Sequence, residues 1–331
     1  MKKKILFVGH DLKFVKDLIN YFDNHKNFEV KVDQWAGHNL HDEEKSFECL
    51  KWADIIFCEW GLGNAVWYSK NKLSHQKLIV RMHRQELETN YPKLINIDHV
   101  DLFIVISPYL YEDLYKTFKL NRNKMKVIYN FVNEEIFHQP KLENVSFNLG
   151  MIGISPKLKR LDLALDLFEK LWNTDKRYNL YIKGKLPQEY PWIWRNKEQR
   201  EYYEEQFNRI EKSKWKKNVH FDGFGQDVGN WIRKIGFILS MSDFESFHLA
   251  IAESMISGTV PIIRNWEGAE IIYGSKFIIN NLDEAYEKIL NVNHLDKKSF
   301  EILVDEIKQY SLQNFSLKNI VKHYEKIFNE I

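Results

Sequence analysis

The sequence predicts an α/β chain of two doubly wound domains, each built on a parallel sheet. Three observations lead there. Strand-length apolar runs alternate with longer amphipathic segments from end to end. Those runs are continuous Val, Ile, Leu and Phe stretches without strict polar alternation, as expected of strands covered on both faces. The series runs twice, on either side of a polar stretch from Asn130 to Phe147, and 331 residues is a length for two domains.

The first series opens with a strand at Lys4 to Val8 and a helix at Leu12 to His25. Strands follow at Phe28 to Asp33 and, after a helical Glu43 to Lys51, at Ala53 to Cys58. Two more, Lys77 to Met82 and Leu102 to Ile106, precede a helix at Tyr109 to Thr117 and a strand at Lys126 to Tyr129. The loop-rich stretch with Pro140 then breaks the pattern, which places a domain boundary near residue 143. The second series has strands at Phe147 to Ile154, Tyr178 to Ile182, Val219 to Asp222, Phe237 to Ser240 and Val260 to Ile263. Helices fall at Leu161 to Trp172 and Leu249 to Ser257. Ser316 is placed to cap a last helix. The expected division is 1–143, 144–314 and a C-terminal helix at 315–331.

Composition narrows the function classes. A net charge of +2 gives no global case for nucleic acid. Cys49 and Cys58 form neither a disulfide framework nor a metal spacing, and fit a reducing compartment. No apolar run reaches the roughly 18 residues of a membrane span. The run after Lys2-Lys3-Lys4 is too short for a signal peptide and leads directly into a strand. The expected location is the cytoplasm. Gln188 to Lys217 combines Tyr190, Trp192, Trp194 and Trp215 with a Lys-rich end. It reads as a solvated surface with tucked aromatics, or as a contact for anionic lipid at the inner face of the membrane.

The densest chemistry lies in Glu245-Ser246-Phe247-His248-Leu249-Ala250-Ile251-Ala252-Glu253. Glu245 falls in a loop after an apolar strand, and Glu253 about two turns into the next helix. At 3.6 residues per turn, eight positions return a side chain near the same face. Two carboxylates can then face one ligand, with a helix N-terminus between them to receive a phosphate. Two acids eight apart are common by chance; the flanking strand, loop, helix, Ser257-Gly258-Thr259-Val260-Pro261 turn and strand give the motif its specificity.

This segment resembles the E-x7-E signature of retaining glycosyltransferases of the family-4 type, which have the GT-B fold of two Rossmann-like domains facing a cleft. The resemblance implies a nucleotide-diphosphate sugar, UDP- or GDP-linked, bound mainly by the second domain. Glu253 matches the glutamate that holds the donor ribose, and Glu245 the one beside the donor sugar. The backbone N–H groups of Phe247, His248 and Leu249 would cap the phosphates. His248 stands where the family commonly has glycine, and would either narrow the sugar pocket or add a phosphate donor.

Gly150 to Asp162 is similar to the family's G-R-L-x-x-x-K-G-x-D segment. Gly153 falls on its loop glycine and Lys159 on its phosphate lysine. Ile154 stands in place of the usual partner Arg and Arg160 in place of Gly, so Lys157 or Arg160 is left to supply the second cation. Ile128 to Phe137 resembles the interdomain segment, with Phe131 and Asn133 replacing Gly and Asp. The last helix resembles one that packs back towards the first domain. In that domain His83, just past a strand end, matches a histidine reaching the donor sugar; Arg84 and Glu86 would border the acceptor. Gly9-His10-Asp11 resembles a reduced form of the family's Gly-rich first loop. Trp266 would stack on a sugar or base, or fill a gap.

Other chemistries find less support. Glu59-Trp60-Gly61-Leu62-Gly63 lacks the third glycine and distal acid of a dinucleotide fingerprint. No G-x-S-x-G, Walker A or metal-ligand spacing is present, so no cofactor and no metal is expected. The resulting reading is a metal-independent retaining glycosyltransferase with Glu245 and His83 catalytic. Gly9, Gly153, Lys157, Lys159, Arg160, Phe247, His248, Leu249 and Glu253 would bind substrate. Acceptors would be glycans, lipid-linked glycans or small molecules, in cell-envelope or polysaccharide synthesis. A nucleotide-sugar epimerase of the same fold and a non-catalytic GT-B subunit remain alternatives.

Overall fold

The computed structural model describes residues 2–331. The chain divides into two compact units. One takes the chain up to Phe131 and again Leu317–Ile331; the other is Val132–Ser316. The first division lies before residue 143 because the intervening segment is bonded into the second unit. The Val132 N–H donates to the Phe315 carbonyl at 2.8 Å, and the Leu142 N–H to that of Arg233 at 2.9 Å. The Lys141 ammonium, driven well below its usual pKa by burial and then by Lys308, donates to the Ile232 and Ile235 carbonyls.

The first unit is a six-stranded parallel sheet. Its elements are β1 (Lys3–Gly9), α1 (Lys16–Asp23), β2 (Phe28–Gln34), α2 (Glu43–Trp52), β3 (Ile55–Glu59), α3 (Gly63–Asn71), β4 (Lys77–Met82), β5 (Leu102–Val105), α4 (Pro108–Phe118) and β6 (Met125–Val127). The sheet order is β2-β1-β3-β4-β5-β6. Registers such as Phe7↔Phe57 and Phe57↔Ile79 line up the buried runs seen in the sequence. The expected helix at Leu12 to His25 begins later, at Lys16, because residues 11–15 turn first.

The C-terminal helix, Leu317–Glu330, belongs to this unit. Tyr324 and Phe328 are fully buried among Phe7, Phe22, Phe28 and Phe57. Phe328 meets Phe22 at 4.8 Å between ring centroids and Phe7 at 6.4 Å, and Lys3 ties the helix end through the Phe328 carbonyl at 2.9 Å. Burial of aromatic surface of this kind dominates the local energy balance.

The second unit repeats the plan with β7 (Asn148–Ile152), α5 (Leu161–Thr174), β8 (Asn179–Lys183), α6 (Lys197–Lys212), β9 (Val219–Phe221), β10 (Phe237–Ser240), α7 (Leu249–Ile256), β11 (Val260–Arg264), β12 (Ile278–Ile279), α8 (Leu282–Asn293) and α9 (Lys297–Phe315). Its sheet order is β12-β11-β10-β7-β8-β9, again with parallel neighbours. The order reverses direction beside β7 and β10, where open α/β sheets hold ligands past the strand ends. Aromatics of the 188–217 segment divide. Trp215 is buried with its indole donating to Glu169 at 3.0 Å, whereas Trp192 stands 62% exposed. Among the described residues no helix is long and apolar enough to cross a membrane.

Candidate active site

In the second unit the loops after β7 and β10 bring Lys159 and Glu245 together. The Lys159 ammonium donates to Glu245 Oε1, which also accepts from the Ser242 hydroxyl at 2.7 Å. Both side chains of the ion pair are largely covered, at 18% and 12% exposure. Burial alone would raise the Glu245 pKa. His248, Lys159 and the bonds from Lys159 and Ser242 outweigh it and hold the carboxyl below its usual value. The group at the sugar end of the expected site is therefore an anion at neutral pH.

The N-terminus of α7 follows three residues later. His248 is its N-cap with φ 58° and ψ 64°, in the left-handed region. A non-glycine residue there costs on the order of 1 kcal/mol. The Tyr273 hydroxyl holds this backbone, lying 2.6 Å from the Phe247 carbonyl and 3.0 Å from that of His248. No side chain caps the helix, and the first N–H groups of an α-helix have no partner within it. Burial pushes the imidazole down to about 4, against the pull of Glu245, so it is neutral.

Glu253 is the fifth residue of α7, just over one turn from its start, nearer the N-terminus than the expected two turns. It is only partly covered by surface measure, yet the packing around its carboxyl is dense enough that burial alone pushes its pKa up to about 7. Among the described residues no hydrogen bond or ion pair holds this carboxyl. An enclosed acid without a protein partner is suited to accept from a ligand hydroxyl pair.

The other basic residues of the β7 loop are already engaged. Lys157 pairs with Glu198. Arg160 grips Asp162 at 2.8 Å and Asp243 at 2.9 Å, and Tyr202 completes the set by donating to Asp162 at 2.7 Å. Neither stands as a free second phosphate cation. Ile154, in the position of the usual Arg, is buried in the core. Gly153 has φ 74° with open space where a Cβ would stand, so its backbone leaves room for a ligand. Trp266 is 2% exposed and its indole donates to the Ser240 hydroxyl at 3.3 Å; it fills a gap and offers no face for stacking. Sequence reasoning missed Ser240, Ser242 and Tyr273. The one available signal was a pair of serines at the end of an otherwise apolar strand.

The first unit holds a separate buried polar cluster at the ends of β3 and β4. Arg81 and Glu59, both with fully buried side chains, form a 2.6 Å ion pair. His83 Nε2 lies 2.8 Å from the same Glu59 oxygen, close enough to donate to it. The second Arg81 amino group donates to Asn130. Trp60 covers His83 with ring centroids 4.0 Å apart. Glu86, expected beside the acceptor, is engaged within the protein. It is fully buried and accepts from the Gly61 N–H at 2.7 Å and the His83 N–H at 3.0 Å, holding the β3 loop against the β4 loop. Burial raises its pKa to about 8 despite those bonds.

Gly9 is set by close packing. A Cβ there would stand 2.9 Å from Leu12 Cδ2 and 3.1 Å from the Glu59 carbonyl. Beside it a cavity of about 440 Å³ is lined by His10, Asp11, Lys13, Lys16, Asn20 and Gln34, among others. Gly9 and His83 thus belong to one unit, and Lys159, Glu245, His248 and Glu253 to the other.

Two six-stranded parallel α/β units are the architecture of the GT-B class of sugar-transfer proteins. The family model for glycosyl transferases group 1 matches residues 132–309, more than half of the chain, and the chain belongs to that family. The match begins where the second unit does. Among solved structures, HepE of Anabaena in complex with UDP has a TM-score of 0.74 at 15% identity, covering 100% of both chains. The sucrose-phosphate synthase of Thermosynechococcus elongatus has a TM-score of 0.74 at 12% identity over 99% of each chain. TarM of S. aureus, solved as a mutant with UDP among its ligands, has a TM-score of 0.63 at 18% identity, over 83% of this chain and 55% of its own. A search of curated proteins found no match.

Proposed function

We propose that this glycosyltransferase is a retaining enzyme that moves a sugar from a nucleotide-diphosphate donor, UDP- or GDP-linked, to a glycan, lipid-linked or small-molecule acceptor. The observation that supports the reading is the Lys159–Glu245 ion pair in the loops before the uncapped N-terminus of α7, the helix that carries Glu253. Lys159 and the helix N–H groups would take the diphosphate. Glu253 would accept from the ribose diol. Glu245, anionic beside the breaking glycosidic bond, would bind a sugar hydroxyl and stabilise oxocarbenium-like charge. Phe247 and Leu249 would serve through their backbone, and Gly153 by leaving the phosphates room. Lys157 and Arg160 would have to exchange their carboxylate partners to take part.

The first unit would receive the acceptor. His83, Gly9 and the cavity beside His10 are the features proposed to engage it, with His83 in a catalytic role. The reaction would need no metal, because Lys159 and the helix end supply the positive charge. Support for a UDP-linked donor comes from the UDP complexes of HepE and TarM. Polysaccharide or envelope synthesis in the cytoplasm, with Trp192 and neighbouring lysines against anionic lipid, completes the proposal.

The test is turnover. UDP-, GDP-, ADP- and TDP-sugars are screened for stabilisation, and the one that binds is offered acceptors in the presence of chelator. An α-configured donor giving an α-linked product by NMR supports the reading. An inverted product, or isomerised donor with no acceptor required, contradicts it.

A further inference from the structure

His248 is linked to two buried residues that have no other chemical task. Its Nδ1 lies 2.7 Å from the Ser240 hydroxyl, and that hydroxyl accepts from the Trp266 indole N–H at 3.3 Å. All three side chains are nearly or fully buried. An indole N–H only donates, so the Ser240 oxygen is an acceptor on that side. Its own hydrogen then needs an acceptor, and Nδ1 is the one within reach. Were Nδ1 protonated instead, the serine hydrogen would be left without a partner in a buried site, which is costly. The Glu245 oxygen at 3.5 Å from Nδ1 is beyond good hydrogen-bond distance. Nδ1 therefore accepts, and the ring hydrogen sits on Nε2. Among the described residues Nε2 has no protein partner.

We propose that the Trp266–Ser240–His248 chain fixes His248 as a neutral imidazole with its hydrogen on Nε2, and that this N–H donates to an oxygen of the donor diphosphate at the N-terminus of α7. The proposal rests on the donor-site reading above. It makes Ser240 and Trp266 positioning residues, acting through His248. It also accounts for a histidine in a left-handed N-cap position where glycine is unstrained. The imidazole supplies a directed donor that a glycine cannot, near Lys159, in a unit where Lys157 and Arg160 of the β7 loop are both held by carboxylates. A neutral donor suits the site, since Lys159 already carries the charge next to Glu245.

Two measurements test it. In protein labelled with ¹⁵N-histidine, the His248 ring nitrogens report the tautomer directly. The expected signal at neutral pH is a protonated Nε2 and a bare Nδ1, with the distinction blurred in Ser240→Ala. A protonated Nδ1 or a cationic ring in the wild type overturns the relay. The second measurement compares the binding of a nucleoside diphosphate with that of its nucleoside. Ser240→Ala and His248→Ala are expected to weaken the diphosphate by about ten-fold, the scale of one hydrogen bond to a charged group, and to leave the nucleoside unchanged. Equal loss for both ligands, or none, overturns the diphosphate contact. If the wild type binds no nucleoside diphosphate, the donor-site reading itself fails and this half falls with it; the tautomer signal still decides the other half.

Discussion

Lys159 and Glu245, 86 residues apart in sequence, form a mostly buried ion pair across the loops that follow β7 and β10. The pair helps to hold Glu245 in its charged form. For Glu245 the balance is between burial, which favours the neutral acid, and the cation with its hydrogen bonds, which favour the anion. Lys159→Ala removes part of the opposing side and leaves His248 and the Ser242 hydroxyl. The acidic limb of the kcat/KM profile should then move to higher pH, because burial meets less opposition. Glu245→Gln should lower kcat by about 10² to 10³, the scale of losing one preorganised electrostatic contact. A profile unchanged in Lys159→Ala would contradict the coupling.

Glu253 gives the opposite sign. Its folded pKa of about 7 is above the ordinary carboxylate range. The folded state thus holds a proton that the unfolded state has released, and stability falls as pH rises from the ordinary range through about 7. Glu253→Gln should raise the melting temperature more at pH 8 than at pH 5. The ionised carboxylate is the better acceptor for a diol, so nucleotide-sugar affinity should rise with pH across the same window in the wild type and be flat in Glu253→Gln. Calorimetric titration at pH 6 and 8 checks this.

The Glu59–Arg81 pair in the first unit is fully buried. Arg81→Met leaves Glu59 charged and enclosed, and should destabilise that unit by about 3–5 kcal/mol. Adding Glu59→Gln should recover part of the loss. Chemical denaturation of both single variants and the double variant yields the coupling; additivity would show that the two side chains do not act as a pair.

Phe328 tests the interleaved chain path. It comes from the last helix but sits at 0% exposure among rings of the first unit. Phe328→Ala should cost about 3–5 kcal/mol and lower the unfolding transition of the first unit, while nucleotide-stabilised unfolding of the second is retained. Loss of both together would place the helix elsewhere in the energy balance.

The sheet elements were legible because buried parallel strands must be continuously apolar, and runs such as Ile5 to Val8 and Phe237 to Leu239 admit few other readings. Strand ends shifted by a residue or two, since pairing registers, invisible in one sequence, set them. Helix α3 was not foreseen: Gly63 opens it and its buried residues include Asn64 and Ser69, which carry no apolar stripe. The interdomain segment read as loop, and its membership of the second unit depends on long-range bonds such as Lys141 to Ile235. Among the candidate residues, spacing singled out Glu245 and Glu253, and the resemblance Lys159. Neither could show that Arg160 is spent on Asp162 and Asp243, or that Trp266 turns inward to Ser240, because those are tertiary partners.

The central claim is that Lys159, Glu245 and Glu253 belong to one nucleotide-sugar donor site. The most direct measurement is nucleoside-diphosphate affinity by thermal-shift titration of the wild type, Lys159→Ala and Glu253→Ala. The account predicts saturable stabilisation of the wild type by UDP or GDP and affinity at least about ten-fold weaker in each variant. Unchanged affinity in both variants would contradict it.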